Sequence, residues 1–259
     1  MKKLTSILLL IAMLLALTAC GAAGKAEDTA AADKLKEAAQ KVEEATAAAE
    51  EAALAEETAA EAAEAAPAEE AEETYEAEEM IGEKSGNSYA NETLGIRAEF
   101  SDNWTILDDE QTAQMLGLVA DNFSEVDLAE QLRESGSLYD LYAMTVDQSG
   151  DNVNVVIEDL GVVNGIIIDE KKYLEIAEDQ LETTFAQMGM TDVTLDKGTY
   201  SFAGKDHVSV LISGNYNGVP VYERMVLLKT GNYMGVVTAF SLDTARLDNI
   251  MGCFTAYEG

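Results

Sequence analysis

The clearest evidence for the fold lies in residues 206–229, DHVSVLISGNYNGVPVYERMVLLK. Apolar and polar residues alternate on both sides of Asn217-Gly218, a dipeptide favoured in two-residue type I′ turns because both positions need a positive φ. Side chains alternate across a strand, so one face of the first strand carries Val208, Val210 and Ile212. The stretch therefore predicts a β-hairpin with one apolar face turned to a core.

The pattern continues outward from this hairpin as a meander that follows a long helix. Strands are predicted at 193–203, 206–216, 219–229 and 232–240. Asp169 opens the helix, which ends before Gly189. The apolar stripe of the helix consists of Tyr173, Ile176, Ala177, Leu181, Phe185 and Met188. A stripe at this spacing is typical of a helix that packs on a sheet.

The elements before and after this region are shorter. Strands are predicted at 88–92, 94–100, 138–147 and 153–160, and helices at 109–120, at 124–135 and from about Asp243 onward. The closing helix is predicted to bury Leu247, Ile250 and Phe254. Runs of strands that are joined by hairpins and interrupted by helices indicate an α+β fold around a mainly antiparallel sheet.

This element order resembles the PsbP-like superfamily, which includes the PsbP proteins of photosystem II and bacterial envelope lipoproteins of the DcrB family. The residues that carry the resemblance are the run 89–96, then Phe100 and Trp104, then 202–205. The resemblance implies an α/β/α sandwich around a mainly antiparallel sheet. It implies no catalytic residues, and no ligand set for a metal or other cofactor is carried over.

The first twenty residues are typical of an export signal. Lys2 and Lys3 precede an apolar run, Leu4–Leu17, whose length of roughly 21 Å is too short to span a hydrocarbon core of about 30 Å. The run ends in Leu17-Thr18-Ala19-Cys20, which resembles the bacterial lipobox. The resemblance implies a signal peptide over 1–19 and a diacylated Cys20 at the mature N-terminus. The alternative is an ordinary signal peptide that is cut after Ala19.

Residues 20–84 are predicted to be an acidic spacer. The stretch Gly21–Met80 holds 19 acidic residues and 4 lysines, for a net charge of −15, and is rich in alanine. Such a composition cannot build a core, although alanine and glutamate favour helix. A partly helical or disordered stalk is expected, with a weak coiled coil through Leu35 and Val42 as the alternative. The folded domain is assigned to 85–259.

The composition excludes several functions. With 16 basic and 49 acidic residues, the net charge of −33 argues against binding nucleic acid. No nucleophile motif accompanies His207, the one histidine, which is interpreted as structural. Asp108-Asp109 and the pair Asp147 and Asp151 lack the spacing of a calcium loop. No metal site is therefore predicted.

Six tyrosines in the predicted strands are the richest candidates for ligand contact. They are Tyr139, Tyr142, Tyr200, Tyr216, Tyr222 and Tyr233. Half-buried structural tyrosines are the simpler interpretation, and a surface that stacks a glycan or a peptide is the other. The sequence thus predicts a non-enzymatic lipoprotein on the outer face of the cytoplasmic membrane, whose domain binds an envelope protein or a glycan. Alternatives are an envelope hydrolase that uses carboxylates and a small-ligand-binding lipoprotein.

Overall fold

The computed structural model describes residues 74–115, 128–147 and 149–258. Its strands are β1 Glu83–Ser85, β2 Ser88–Asn91, β3 Ile96–Glu99, β4 Trp104–Ile106, β5 Ser137–Thr145, β6 Asn152–Asp159, β7 Met190–Phe202, β8 Lys205–Tyr216, β9 Val219–Thr230, β10 Tyr233–Ser241 and β11 Phe254–Ala256. Its helices are α1 Asp109–Met115, α2 Leu128–Ser135, α3 Gly161–Ile167, α4 Glu170–Gln187 and α5 Thr244–Met251, with a 3-10 turn at Ala77–Met80.

Seven strands form one antiparallel sheet in the order β4-β5-β6-β10-β9-β8-β7. The predicted hairpin lies in this sheet, and Asn217 and Gly218 have φ values of 51° and 80°. Both residues therefore have the positive φ that the turn demands. The α+β class and the antiparallel meander are confirmed.

A second, four-stranded antiparallel sheet has the order β1-β2-β3-β11. Together with α2 and α5 it covers one face of the large sheet and encloses a first core, in which Phe100 stacks on Trp104 at 5.3 Å between ring centroids. Helix α4 covers the other face and encloses a second core. One outer layer thus contains the four-stranded sheet as well as helices. The sequence predicted a single central sheet between two helical layers and did not predict this second sheet.

The long helix forms where the sequence predicts it. The Asp169 side chain caps it by accepting a hydrogen bond from the backbone N–H of Lys172 at 2.7 Å. Tyr173, Leu181 and Phe185 are buried against the sheet, which confirms the predicted stripe. This helix therefore fixes the second core.

The prediction that Phe254 belongs to the closing helix is wrong, because Phe254 lies in strand β11. The helix ends at Met251 because the chain turns at Gly252 to pair with β3, where Phe254 stands opposite Ala98. Strand pairing with a distant segment thus replaces the last predicted helical turn.

The chain before Ser85 already takes part in the fold. Met80 is fully buried, and the backbone N–H of Gly82 donates to the Asp140 carboxylate at 2.9 Å. The assignment of 20–84 to the spacer and 85–259 to the domain stays a prediction, but Tyr75, Ala77, Met80 and Ile81 pack on the first core. The signal peptide, Cys20, the proposed coiled coil and residues 116–127 of the two predicted helices lie outside the described residues.

Candidate functional site

A cleft of about 660 Å³ opens between helix α5 and the small sheet. Its lining residues are Arg97, Glu99, Asp248, Asn249, Gly252, Cys253 and Thr255. Strand alternation places Arg97 and Glu99 on the exposed face of β3, and α5 presents Asp248 from its solvent side. Binding clefts commonly have volumes of about 300–1,000 Å³, so this one is large enough for a small ligand.

The floor of the cleft is held by hydrogen bonds between strands. Arg97 Nε donates to Thr255 Oγ1 at 3.1 Å, and Ser88 Oγ donates to Glu99 Oε2 at 2.7 Å. These contacts fix one cation and one anion side by side on the same sheet face. The cleft therefore offers both charges to a ligand.

A stacked arginine and tyrosine adjoin the cleft at Asp248. The Arg224 guanidinium lies 4.3 Å from the centroid of the Tyr200 ring, and the Tyr200 hydroxyl donates to Asp248 Oδ1 at 3.2 Å. Arg224 Nη2 lies 3.8 Å from the same Asp248 oxygen. Burial raises the pKa of the Tyr200 hydroxyl, and the Asp248 charge adds to that rise. The phenol therefore stays protonated at neutral pH and can serve as a donor.

Cys253 contributes a thiol to the cleft. The Cys253 Sγ donates to the carbonyl oxygen of Asn249 at 3.5 Å, and burial raises the thiol pKa above its ordinary value. A thiol is a nucleophile only as the thiolate. Cys253 therefore remains a protonated, weakly reactive group at neutral pH.

A second polar region lies inside the protein, between the large sheet and α4. Strand β6 places Asn152, Asn154 and Glu158 on the face that α4 covers, beside Tyr142 and Thr238 on the neighbouring strands. Desolvation raises the pKa of Glu158 to about 7 and that of Glu223 on strand β9 to about 8. The Tyr173 hydroxyl of α4 lies beside Glu158 and offsets part of the rise there.

The two carboxyls with raised pKa values are too far apart to act as a pair. Glu223 stands level with Phe240 and Asn152 across the sheet, and Asn152 lies six residues from Glu158 along β6. At about 3.3 Å per residue the two backbones are about 20 Å apart. Paired carboxyls of glycosidases are separated by about 5–9.5 Å. The backbone separation of Glu158 and Glu223 therefore does not match the carboxyl spacing of a glycosidase pair.

His207 lies away from both regions and pairs with a glutamate of α4. His207 Nδ1 is 2.9 Å from Glu170 Oε1, and Glu170 Oε2 accepts from the backbone N–H of Val208 at 2.9 Å. Burial by itself raises the pKa of Glu170. The hydrogen bonds from His207, from the Val208 N–H and from the Lys229 N–H outweigh that effect, so the pKa of Glu170 lies below its ordinary value. The Glu170 carboxylate thus links β8 and β9 at the point where their pairing ends, and the His207 side chain lies against it.

The aspartates considered for calcium are used in local contacts. Asp147 accepts from the backbone N–H of Ser149 at 2.9 Å, whereas Asp151 accepts from Ser241 Oγ at 2.7 Å. Asp109 forms an ion pair with Lys84. Among residues 74–115, 128–147 and 149–258, no three His, Cys, Asp or Glu side chains lie close enough together to hold a metal ion.

The six tyrosines do not form one aromatic face. Tyr139 and Tyr142 are buried under α4, and Tyr233 is buried in the first core. Tyr200 touches Asp248, which lines the cleft. Sequence reasoning missed Arg97, Asp248 and Cys253 as site residues because strand β3, helix α5 and the segment after it meet only through the pairing of β3 with β11.

In the part of the chain that the structure describes, no helix has the length and apolar character needed to cross a membrane.

Comparison with known proteins gives neighbours of low similarity. No family model and no curated protein sequence matches the chain. Among solved structures, a Bacteroides thetaiotaomicron protein is 9% identical with a TM-score of 0.38; the match covers 67% of this chain and 49% of that protein, so this chain spans about half its length. LpqN, described as involved in cell envelope biogenesis of Mycobacterium tuberculosis, is 14% identical with a TM-score of 0.36, over 68% of this chain and 87% of LpqN.

A third structure is PA94 from Pseudomonas aeruginosa, described as a protein of unknown function and putative regulator. It is 16% identical with a TM-score of 0.24, over 38% of this chain and 63% of PA94. At such identities and TM-scores, none of these similarities assigns a site or an activity to this chain. The PsbP-like resemblance stays a prediction.

Proposed function

We propose that this chain is a lipid-anchored protein on the outer face of a bacterial cytoplasmic membrane and that its folded domain binds a ligand without catalysis. The boundary Leu17-Thr18-Ala19-Cys20, placed directly after a charged start and an apolar run, carries the proposal. Two acyl chains on one cysteine are enough for stable anchoring, whereas one gives only marginal binding. The acidic spacer then separates the anchor from the domain.

The chemistry of the cleft supports binding rather than catalysis. The cleft thiol is protonated because burial raises its pKa, and His207 is engaged with Glu170 on another part of the domain. The carboxyls with raised pKa values, Glu158 and Glu223, are separated along the sheet and covered by α4. The hydrolase alternative therefore gains no support from these residues.

The ligand class follows from the charges that line the cleft. Arg97 provides a cation, Glu99 and Asp248 provide carboxylates, and Asn249 provides an amide that can both donate and accept. Such a set suits a ligand that carries both charges and several hydroxyl or amide groups. Short peptides joined to amino sugars, as in fragments of the bacterial cell wall, have this chemistry. We propose them as the ligand class.

Replacing Cys20 tests the anchor. In cells fed an alkyne analogue of palmitate, we expect the wild-type protein to be labelled and the Cys20→Ala variant to lose the label completely, because the thioether to diacylglycerol cannot form. Cys253→Ala is the matched control, since Cys20 and Cys253 are the only cysteines of the chain. It should keep the label. Mass spectrometry that finds an unacylated mature N-terminus contradicts the anchor.

Alkylation of Cys253 tests the cleft. Because the thiol lies in the cleft, we expect soluble disaccharide-peptide fragments of peptidoglycan to slow its reaction with iodoacetamide severalfold. A neutral maltodextrin of similar size is the control ligand and should leave the rate unchanged. An alkylation rate that is the same with and without saturating fragments rules out this ligand class at the cleft. Equal protection by maltodextrin contradicts the inference that the charged residues of the cleft select the ligand.

A further inference from the structure

Helix α3 carries an apolar surface that the fold leaves uncovered. Val162, Val163, Ile166 and Ile167 are 57%, 74%, 68% and 67% exposed. Positions i, i+1, i+4 and i+5 share one side of a helix, so the four side chains form a continuous patch, here called the α3 face. Water-exposed aliphatic clusters of this kind mark interaction surfaces in soluble proteins.

The opposite side of α3 is fixed to the sheet at Asn232. A Cβ on Gly165 would lie 2.7 Å from Asn232 Cα, so only glycine permits this approach. Leu160 N–H donates to the Asn232 carbonyl oxygen at 3.0 Å. The helix is therefore held with its glycine side inward and its aliphatic side outward, and the exposure of the α3 face follows from the packing.

The N-terminal segment enters the domain at the same residue. The backbone N–H of Tyr75 donates to Asn232 Oδ1 at 2.9 Å. Tyr75 follows the predicted spacer that leads back to Cys20. The α3 face and the attachment point of the tether thus lie at one end of the domain, so a domain drawn toward its anchor presents this end to the lipid.

The size of the α3 face favours a lipid surface over a second copy of the chain. Full burial of one aliphatic side chain contributes about 1.5–3 kcal/mol at about 25 cal/mol per Å², or roughly 60–120 Å². Four partly exposed side chains therefore offer on the order of 300 Å², whereas stable protein interfaces need about 800 Å² from each partner. A tether that confines the domain near the bilayer supplies an effective concentration in the millimolar range, so a small patch is sufficient there.

From these observations we propose that the α3 face docks on the bilayer to which the chain is anchored, with the four aliphatic side chains inserted at the headgroup boundary. The inference rests on the proposed lipid anchor. Insertion of this kind depends on apolar contact. It does not depend on a basic surface, and the net charge of the chain is −33. Docking should therefore persist at high salt.

A fluorescent label on the α3 face tests the proposal independently of acylation. The chain from residue 21 onward is held on vesicles of phosphatidylethanolamine and phosphatidylglycerol through an N-terminal hexahistidine tag and a nickel-chelating lipid. In a Cys253→Ser background, Val163→Cys carries the environment-sensitive dye NBD. The matched control is Val219→Cys, which is also exposed, at 46%, but is the first residue of β9, next to the β8–β9 turn at the opposite end of the large sheet.

We expect NBD emission from position 163 to rise at least about threefold on the vesicles, to be quenched by spin-labelled lipid and to persist in high salt, while position 219 stays unchanged. Adding Ile166→Asp, a substitution of an exposed residue, should abolish the rise without altering the circular dichroism spectrum. The tag replaces the acyl anchor in this experiment. If NBD emission does not rise, the docking proposal is overturned and the proposed acylation of Cys20 is unaffected. If Cys20 is not acylated in cells, only the proposed anchor is overturned.

The other occupants of the α3 face give different results, and each one overturns the proposal. A rise that grows with protein density and escapes quenching by spin-labelled lipid indicates a second copy. Strong NBD emission from position 163 in solution, before vesicles are added, indicates that the chain's own N-terminal segment covers the α3 face. Equal emission from positions 163 and 219 on the vesicles shows that the domain stands clear of the lipid.

Discussion

Replacing Asp140 by alanine is expected to lower the free energy of unfolding by about 3–5 kcal/mol. Asp140 is fully buried in the first core and accepts four hydrogen bonds. Two come from the Gly82 N–H at 2.9 and 3.1 Å, one from the Tyr89 hydroxyl at 2.6 Å and one from Asn91 Nδ2 at 3.0 Å. Removing the carboxylate leaves the Gly82 N–H and the Tyr89 hydroxyl without an acceptor, whereas the Asn91 amide keeps its bond to the Met80 carbonyl oxygen. Each unsatisfied group costs about 1–3 kcal/mol.

The measurement is urea denaturation followed by far-ultraviolet circular dichroism and by the fluorescence of Trp104. Asp102→Ala, which removes an exposed aspartate from the loop before β4, is the control and should change stability by less than about 0.5 kcal/mol. Asp140→Asn keeps the shape and one acceptor, so its loss should be intermediate even if the alanine variant fails to fold. Equal stabilities of Asp140→Asn and wild type would show that the carboxylate does not hold Gly82, Tyr89 and Asn91.

The unfolding free energy of the wild-type protein should fall as the pH rises from 5 to 9. Desolvation raises the pKa of Glu158 to about 7 and that of Glu223 to about 8 in the folded state, from 4.5. The folded state therefore binds more protons than the unfolded state in this window. The contribution of each glutamate to the free energy of unfolding is fully present below its pKa in the unfolded state. It is lost as the pH rises through its pKa in the folded state. One pKa unit corresponds to about 1.4 kcal/mol, so Glu158 contributes on the order of 3 kcal/mol and Glu223 on the order of 5 kcal/mol.

Neutral substitutions isolate this effect. Glu158→Gln and Glu223→Gln should raise stability relative to wild type by about 3 and about 5 kcal/mol at pH 9 and change it little at pH 5, because the amide removes the ionisation. Glu175→Gln, an exposed change on α4, should give a pH profile parallel to wild type. The pKa of Glu170 is lowered in the folded state, so its effect on the free energy of unfolding falls below the range of pH 5 to 9. Parallel profiles for all four proteins would contradict buried, neutral carboxyls at 158 and 223.

The meander and the long helix could be predicted because their signals are local. Asn217-Gly218 needs a turn with two positive φ values, and Asp169 caps a helix whose stripe repeats with helical spacing. Helix α3 could not be predicted. Its sequence, GVVNGII, combines glycine with β-branched residues, both poor helix formers, and it is held by the contact of Gly165 with Asn232.

The interior polar groups also escaped sequence reasoning. Strand β5 has a register shift between Tyr139 and Leu141, a β-bulge that leaves Asp140 outside the pairing. The bulge places Tyr139 and Tyr142 together in the second core, three residues apart, and Leu141 in the first. Strict alternation would have put Tyr139 and Leu141 on the same face. A sequence pattern carries no signal for such a shift, because a bulge depends on the partner strand.

The acidic character of the chain and the alternation that forms the large sheet follow from residue order alone, and the same residue order predicts export and anchoring at Cys20. These features depend on neighbouring residues, on composition and on short-range periodicity. Only the tertiary structure decided where Arg97 and Asp248 meet, which carboxyls are desolvated and which aliphatic side chains stay exposed on α3. The physical reason is that desolvation and contact arise between segments far apart in the chain, after strands such as β3 and β11 have paired.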